Sequence, residues 1–274
     1  MWVASVAKMT PAEQVKAVSA ELVRRNGRFN GRLIPTITAA GVEELRLHTD
    51  AINDIGPLAV LTSLTRLHCT ADERGVGMVF DISPLASLTQ LRELSLEKNR
   101  GVSDLTPLKQ LRLTTLNIGG TSVANIAILT EMPLKVLSLN PIPIKDLSPL
   151  LKCSELVEVS FDLGFIGGLL SPQVEALRDH PTLKRLDGMS TAVFWPAWDR
   201  WKDPSKLASP QKIIPTGQKM APWVAFDPES KRLATFGFEG KLQLFGVKVP
   251  ELVHPRGRQE RLETEHPGRV EGCE

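Results

Sequence analysis

Tyrosine is absent from this 274-residue chain, and aromatic residues of all kinds make up only 5% of it. Surfaces that bind other proteins are usually enriched in tyrosine, tryptophan and arginine. If the chain has such a surface, we expect its contacts to be polar rather than aromatic.

Cysteine is also scarce, with Cys69, Cys153 and Cys273 as its three copies. An odd number of widely separated cysteines predicts neither a disulfide framework nor a zinc knuckle. This pattern favours a reducing compartment, so we expect a cytoplasmic protein.

The chain has no excess of either charge, since 33 basic and 31 acidic residues leave a formal net charge of +2. A dedicated nucleic-acid-binding protein would be strongly basic, so that class is disfavoured. No apolar run approaches the roughly 20 residues of a membrane-spanning helix. Residues 1–8 lack the basic flank and apolar core of a secretory signal. We therefore expect no membrane contact.

What the chain does have is an internal repeat. Its unit is an apolar residue, two variable residues, a leucine, one variable residue and a second apolar residue. The central positions of the seven copies are Leu45, Leu67, Leu94, Leu116, Leu137, Val159 and Leu186, which follow one another at steps of 21 to 27 residues. A unit of this length and pattern is typical of a leucine-rich repeat.

A second signature follows about ten residues after each predicted strand. It reads Asp, aliphatic, small, Pro, Leu at 54–58, 81–85, 104–108 and 146–150, and it recurs without proline at 125–129. Proline suits the first position of a helix, and we expect Ser or Thr to cap the free N–H groups there. Each unit is therefore predicted to be a short strand, a turn and a short α or 3₁₀ segment. Stacked neighbours would supply the core that one unit lacks.

The two signatures over residues 41–190 resemble the leucine-rich repeats of internalin and protein-phosphatase-regulator type. The resemblance implies an α/β fold, a leucine-rich repeat solenoid whose parallel sheet forms a concave face. It also implies that this face binds proteins.

Both ends of the repeat are predicted to be covered. Thr10 and Glu13 form a capping-box pattern with Pro11 between them, which predicts a cap helix over residues 11–25. Beyond the repeat, Trp195, Trp198 and Trp201 are interpreted as a second cap, the alternative being an exposed aromatic docking patch.

Residues 25–31, and residues 174–187 followed by Phe194 and Trp195, resemble the repeat region attached to serine/threonine kinases of planctomycete-type bacteria. That resemblance implies a bacterial signalling protein. It does not carry kinase activity to this chain, because the sequence has no Gly-rich phosphate loop, His-Arg-Asp or Asp-Phe-Gly motif.

Apolar and polar residues alternate along residues 221–247 as they would in three strands. The segment resembles a single degenerate blade of a WD-repeat propeller. The tail from 249 is almost free of apolar residues, so we expect disorder and an exposed Cys273 thiol.

The predicted organisation is a cap at 1–40, repeats at 41–190, an aromatic cap and linker at 191–212, a β-meander at 213–248 and a disordered tail at 249–274.

Candidate binding residues are the side chains that alternate with the buried leucines and so point out of the concave face. At one end Arg46, His48, Arg66 and His68 predict a basic cluster. The rest of the face is predicted to be acidic. The complete candidate set is Arg46, His48, Arg66, His68, Glu93, Glu97, Asn117, Asn140, Glu158 and Asp162. The alternative is that these are merely solvated strand positions.

The sequence gives little support for a catalytic or metal-binding site. His48 and His68 would lie on adjacent strands, but no third metal ligand accompanies them. No nucleophile motif occurs, so we predict no catalytic residue, metal or cofactor. The insertion at 71–80 is interpreted as a loop projecting from the rim.

The leading hypothesis is a non-enzymatic interaction module, expected to be monomeric, that binds a protein partner on its concave face. The first alternative is a regulatory or sensory fragment related to a kinase signalling protein. The second is a structural remnant without a specific partner.

Overall fold

A computed structural model of the chain describes residues 2–72, 75–140, 143–144, 146–161 and 171–202, together with three strands between residues 223 and 246. The predictions for the tail at 249–274, including Cys273, lie outside the described residues. So does the candidate site residue Asp162.

Nine strands form one sheet, in which spatial order follows chain order. The strands are β1 (Ile34–Thr38), β2 (Gly41–His48), β3 (Arg66–Thr70), β4 (Glu93–Ser95), β5 (Thr115–Asn117), β6 (Val136–Ser138), β7 (Glu158–Ser160), β8 (Arg185–Leu186) and β9 (Met189–Ser190). Strands β2 to β8 run parallel, whereas β1 and β9 are antiparallel edge strands. The predicted leucine-rich repeat solenoid is confirmed.

The register of the parallel strands places the repeat leucines side by side. Leu45 pairs with Leu67, Leu67 with Leu94, and the alignment continues to Leu186. Every central residue of the repeat is at most 1% exposed. The 22-residue spacing therefore converts directly into a continuous column of buried side chains, because each unit returns the chain to the same register.

Short 3₁₀ segments connect the strands on the other side of the core. They span Gly56–Val60, Ser83–Ser87, Thr106–Leu108, Ala127–Glu131, Ser148–Lys152 and Leu177–Asp179. The leucine of each Pro-Leu signature is fully buried, as at Leu58 and Leu85. These segments form the second layer of each repeat.

The segments do not begin as the sequence predicts. Ser and Thr were expected to cap the free N–H groups, but the residue two positions earlier does so. Asp104 Oδ1 accepts a hydrogen bond from Thr106 N at 2.8 Å. The same bond recurs at Asp54, Asp81, Asn125 and Asp146. The aspartate of the signature is therefore an Asx-turn residue, and Asn125 preserves the turn in the repeat that lacks proline.

The N-terminal end is covered by helices α1 (Trp2–Val6) and α2 (Pro11–Arg25). The capping box is present, since Thr10 Oγ accepts from Glu13 N and the Glu13 carboxylate accepts from Thr10 N at 2.9 Å. Val18 and Leu22 are completely buried. Helix α2 thus covers the apolar edge that the first repeat would otherwise expose to solvent.

At the other end lie helices α3 (Ser171–Ala176) and α4 (Thr191–Lys202). Trp195 and Trp198 of α4 are buried, and Trp198 Nε1 donates to Glu175 Oε2 at 2.8 Å. Their burial agrees with the predicted aromatic cap and makes the alternative of an exposed docking patch wrong for these two residues. The side chain of Trp201 lies outside the described residues, and the helix itself was not predicted.

The insertion at 71–80 does not project freely from the rim, so that prediction is wrong for its described part. Gly77 forms a parallel β-bridge with Asn99, and Met78 N donates to the carbonyl of Thr49 at 2.9 Å. Val79 is completely buried, whereas Val76, Met78 and Phe80 are exposed. The segment is therefore extended, with alternate side chains buried and exposed.

The remaining strands, β10 (Trp223–Asp227), β11 (Arg232–Phe236) and β12 (Leu242–Gly246), form a separate antiparallel meander. This confirms the small C-terminal meander of the predicted fold. Its relation to a WD-repeat blade stays a prediction.

Candidate functional site

The side chains that alternate with the buried leucines form the exposed sheet face, which corresponds to the predicted concave face. Register fixes their neighbours: Arg46 lies beside His68, and His68 beside Ser95. Because strands in a sheet are about 4.8 Å apart, side chains from successive repeats are within contact distance of one another.

A shallow groove of about 590 Å³ crosses this face. Of the candidate residues, Arg46, His48, His68, Glu93, Glu97 and Asn117 line it. Arg32 and Ile34 also line the groove, although the sequence did not indicate them. Strand β1 was not predicted, so nothing in the pattern placed these two residues beside β2.

Glu44 organises the N-terminal end of the face. It is only 8% exposed, and its carboxylate accepts hydrogen bonds from Arg46 Nε and, at 3.2 Å, from Arg66 Nε. The bond from Arg46, together with that from Arg66, holds the pKa of Glu44 below its ordinary value. Glu44 therefore remains ionised and is a shared acceptor for both arginines.

Two further carboxylates contact the same basic side chains. Arg66 Nη1 lies 3.1 Å from Glu43 Oε1. His68 Nε2 lies 3.8 Å from Glu44 Oε1 and 3.5 Å from Glu93 Oε1. The predicted cluster is therefore not uniformly basic, because acidic side chains on β2 and β4 contact Arg66 and His68.

Positive charge still reaches the groove surface at this end. The Arg46 side chain is 60% exposed despite its bond to Glu44. Arg32 and His48 are exposed as well, and neither forms an ion pair with any of the described residues. These three side chains surround the start of the groove.

Negative charge reaches the surface two strands further along. Glu93 on β4 is 37% exposed. Glu97 follows the same strand, accepts from Asn117 Nδ2 at 3.2 Å, and forms no ion pair within the described part of the chain. The groove therefore has exposed charges of opposite sign at β2 and β4.

The other described candidates, Arg66, Asn140 and Glu158, do not line the groove. Arg66 is held by Glu43 and Glu44. Glu158 pairs with Arg185 at 2.9 Å, and Asn140 is half-buried. The structure therefore brings six of the ten candidates together around one surface.

His48 and His68 are not directly opposite each other, because His48 pairs with Thr70 and His68 with Arg46. No group of three or more potential metal ligands occurs among the residues that the structure describes.

Burial raises the pKa of Cys69 to about 12 and that of Cys153 to about 11. At neutral pH both are therefore unreactive thiols of the core. In the same described part of the chain, no helix has the length and apolar composition to cross a membrane.

No protein-family model and no curated protein matches the sequence. Among solved structures, an internalin of Listeria monocytogenes, inlF, is 22% identical with a TM-score of 0.40, covering 65% of this chain and 57% of its own. Internalin C2 of the same bacterium is 20% identical with a TM-score of 0.40, covering 64% of this chain and 85% of its own. The functional domain of InlJ, which includes a cysteine ladder, is 18% identical with a TM-score of 0.30, covering 47% of this chain and 30% of its own. The chain thus spans little more than half of the inlF structure.

Proposed function

We propose that this protein is a non-enzymatic module that binds another protein on its exposed sheet face. The observation that supports the proposal is the groove, which is shallow, about 590 Å³ in volume, and bordered by exposed side chains of both charges. An open groove bordered by charged side chains suits a protein partner better than a small molecule, which usually occupies an enclosed pocket.

The proposed contact residues are Arg46, His48, His68, Glu93, Glu97 and Asn117, which line the groove. Hydrogen bonding within the sheet fixes their spacing before a partner arrives, which lowers the entropy cost of binding. Charges of both signs would select partners by complementarity and speed their association. Arg66 is proposed as a positioning residue, because it holds Glu44 in place.

Affinity capture from native lysate tests the proposal, with the full chain as bait. A double variant, Arg46→Glu with His48→Ala, changes two of the three exposed side chains at the start of the groove and reverses the charge at position 46. Arg66 and His68 are left unchanged, so that Glu44 keeps Arg66 as a donor after the loss of Arg46. Lys152→Glu is the matched control, a charge reversal on an exposed residue of a 3₁₀ segment.

We expect a partner that the wild type and Lys152→Glu both retain and the double variant loses. A partner held equally by all three baits would contradict the proposal. The exposed side chains of Val76, Met78 and Phe80 would then be the next candidates. Absence of any partner would favour a structural remnant.

The kinase-related alternative and the cytoplasmic location stay predictions. The free, buried thiols of Cys69 and Cys153 fit a reducing compartment. A captured partner with kinase motifs would support the signalling alternative.

A further inference from the structure

We propose that the groove takes a peptide segment in the polyproline II conformation that crosses the strands, with an acidic and a basic side chain three positions apart. The acidic side chain would lie over Arg46 on β2 and the basic one over Ser95 on β4, between Glu93 and Glu97. This inference rests on the proposed function and names the class of partner that the face selects.

The acidic residue of the peptide would meet a site rich in hydrogen-bond donors. Arg46 donates to Glu44 through Nε, its side chain is 60% exposed, and its two terminal guanidinium nitrogens form no hydrogen bond among the described residues. Arg32 and His48 border the same end of the groove. A guanidinium with two nitrogens available forms a bidentate pair with a carboxylate, the strongest of the ordinary charge-assisted hydrogen bonds.

The basic residue of the peptide would meet two carboxylates. Glu93 and Glu97 flank Ser95 on the exposed side of β4, so their side chains border a small residue. Asn117 donates to one oxygen of Glu97 and orients that carboxylate. A lysine or arginine reaching over Ser95 would lie between two negative groups.

Strand spacing sets the separation of the two charges. Strands β2 and β4 are separated by one strand, β3, which puts their side chains about 9.6 Å apart across the sheet. A peptide in the polyproline II conformation advances about 3.1 Å per residue with three residues per turn, so side chains three residues apart point the same way and are separated by about the same distance. Adjacent charges on the peptide would be too close to reach both ends.

The floor of the groove between the two ends is compatible with a backbone lying across it. His68, Thr70 and Ser95 line this stretch, and none carries a permanent charge or a large aromatic group. The two residues between the charges of the peptide are therefore expected to contribute little selectivity.

Synthetic peptides titrated into the isotope-labelled full chain test this inference by amide NMR shifts. The probes are decapeptides of glycine, serine and threonine that carry Asp-x-x-Lys, Lys-x-x-Asp, Asp-x-x-Asp, Lys-x-x-Lys or an adjacent Asp-Lys pair. We expect shifts on β2 and β4 with at least one of the two mixed, spaced peptides. An exposed charge pair contributes about 0.2–1 kcal/mol, so the mismatched and adjacent-pair probes are expected to bind about 1.4- to fivefold more weakly.

Single charge reversals give the sharper readout. Arg46→Glu replaces one positive charge by a negative one at the β2 end and should shift the preference towards Lys-x-x-Lys. Glu97→Lys replaces one of the two carboxylates at the β4 end by a positive charge and should shift it towards Asp-x-x-Asp. Lys152→Glu should leave the wild-type order unchanged. Circular dichroism of each variant establishes that it is folded.

Binding on β2 and β4 with no dependence on charge order or spacing would overturn this inference and leave the proposed function standing. Absence of shifts with every peptide at millimolar concentration would also overturn it. If, in addition, the partner captured from lysate does not depend on Arg46 and His48, the proposed function fails as well.

Discussion

At the scale of single residues, Glu44 determines the character of the exposed sheet face. A carboxylate this buried is costly to ionise unless donors compensate it, and Arg46 and Arg66 do so. The sequence places Glu44 on the outward side of β2 but cannot show that its neighbours enclose it. Pattern analysis therefore treats it as one solvated charge among many.

Replacement Glu44→Gln is expected to lower the free energy of unfolding by about 1 kcal/mol at neutral pH, because two charge-assisted hydrogen bonds become weaker. The pKa of Glu44 lies below its ordinary value of 4.5 in the folded state. A lowered pKa stabilises the fold above the unfolded-state value, and this contribution is lost as the pH falls through the folded-state value.

Urea unfolding of the wild type and Glu44→Gln at several pH values measures this effect. The difference between them should be full at pH 7 and shrink as the pH falls below about 4.5. Glu97→Gln is the control, since Glu97 forms no ion pair among the described residues. A difference that is unchanged down to the lowest pH would contradict the role assigned to Glu44.

At the scale of elements, Asn26 joins the cap helix to the first repeat. Its side-chain amide donates to the carbonyls of Leu22 and Asp54, and its Oδ1 accepts from the backbone N–H groups of Asn53 and Asp54. The side chain is almost completely buried. One residue thereby satisfies backbone groups at the end of α2 and in the turn after β2.

Truncation Asn26→Ala should therefore lower the free energy of unfolding by about 2 kcal/mol or more, because buried donors and acceptors lose their partners. Asn30→Ala is the matched control, since Asn30 accepts a single exposed bond from Arg32 N. Thermal unfolding measures both. Hydrogen exchange should accelerate first in residues 11–25 of the Asn26 variant, and uniform acceleration along the chain would contradict a local role.

How far the sequence predicts each element depends on whether its signal is local. Helix α2 and the strand registers follow from a capping box and from leucine spacing, which act within one unit. Strand β1 has no such signal: Pro35 interrupts it, as is tolerated on an edge strand, and its turn at Ala39 and Ala40 lacks the usual Asn-Gly pair.

The candidate site, too, could be predicted only where the sequence signal is local. Register placed Arg46, His68 and Glu93 on neighbouring strands of one face, as the repeat spacing implies. The ion pairs that neutralise part of the basic cluster depend on side-chain conformations, which no spacing encodes. The sequence also did not show that the aspartate of the Pro-Leu signature, rather than the Ser or Thr, accepts the hydrogen bond at the start of each 3₁₀ segment. Asp, Ser and Thr are all common where a helical segment begins, so the pattern does not distinguish between them.

At the scale of the whole molecule, the fold is a stack in which each repeat contacts its neighbours. Stability is then a sum of terms for each unit and each interface, so damage to a central unit weakens two interfaces at once. Leu116 on β5 lies in the middle of the stack and is 1% exposed.

The substitution Leu116→Ala should lower the free energy of unfolding by about 2–5 kcal/mol, the usual cost of a cavity in a packed core. The same change at the exposed Leu151, in the segment Ser148–Lys152, should alter it by less than about 0.5 kcal/mol. Chemical denaturation of both variants measures the difference, and equal effects would contradict the stacked core.

The central claim is that the exposed sheet face meets a protein partner, and site-specific photo-crosslinking tests it most directly. A benzophenone amino acid would replace the exposed groove residue His48 in the full chain, and in a second sample the exposed Leu151 outside the groove. After irradiation in native lysate, a discrete crosslinked partner is expected from position 48 and none from position 151. Crosslinks from position 151 alone, or the same species from both positions, would contradict the account.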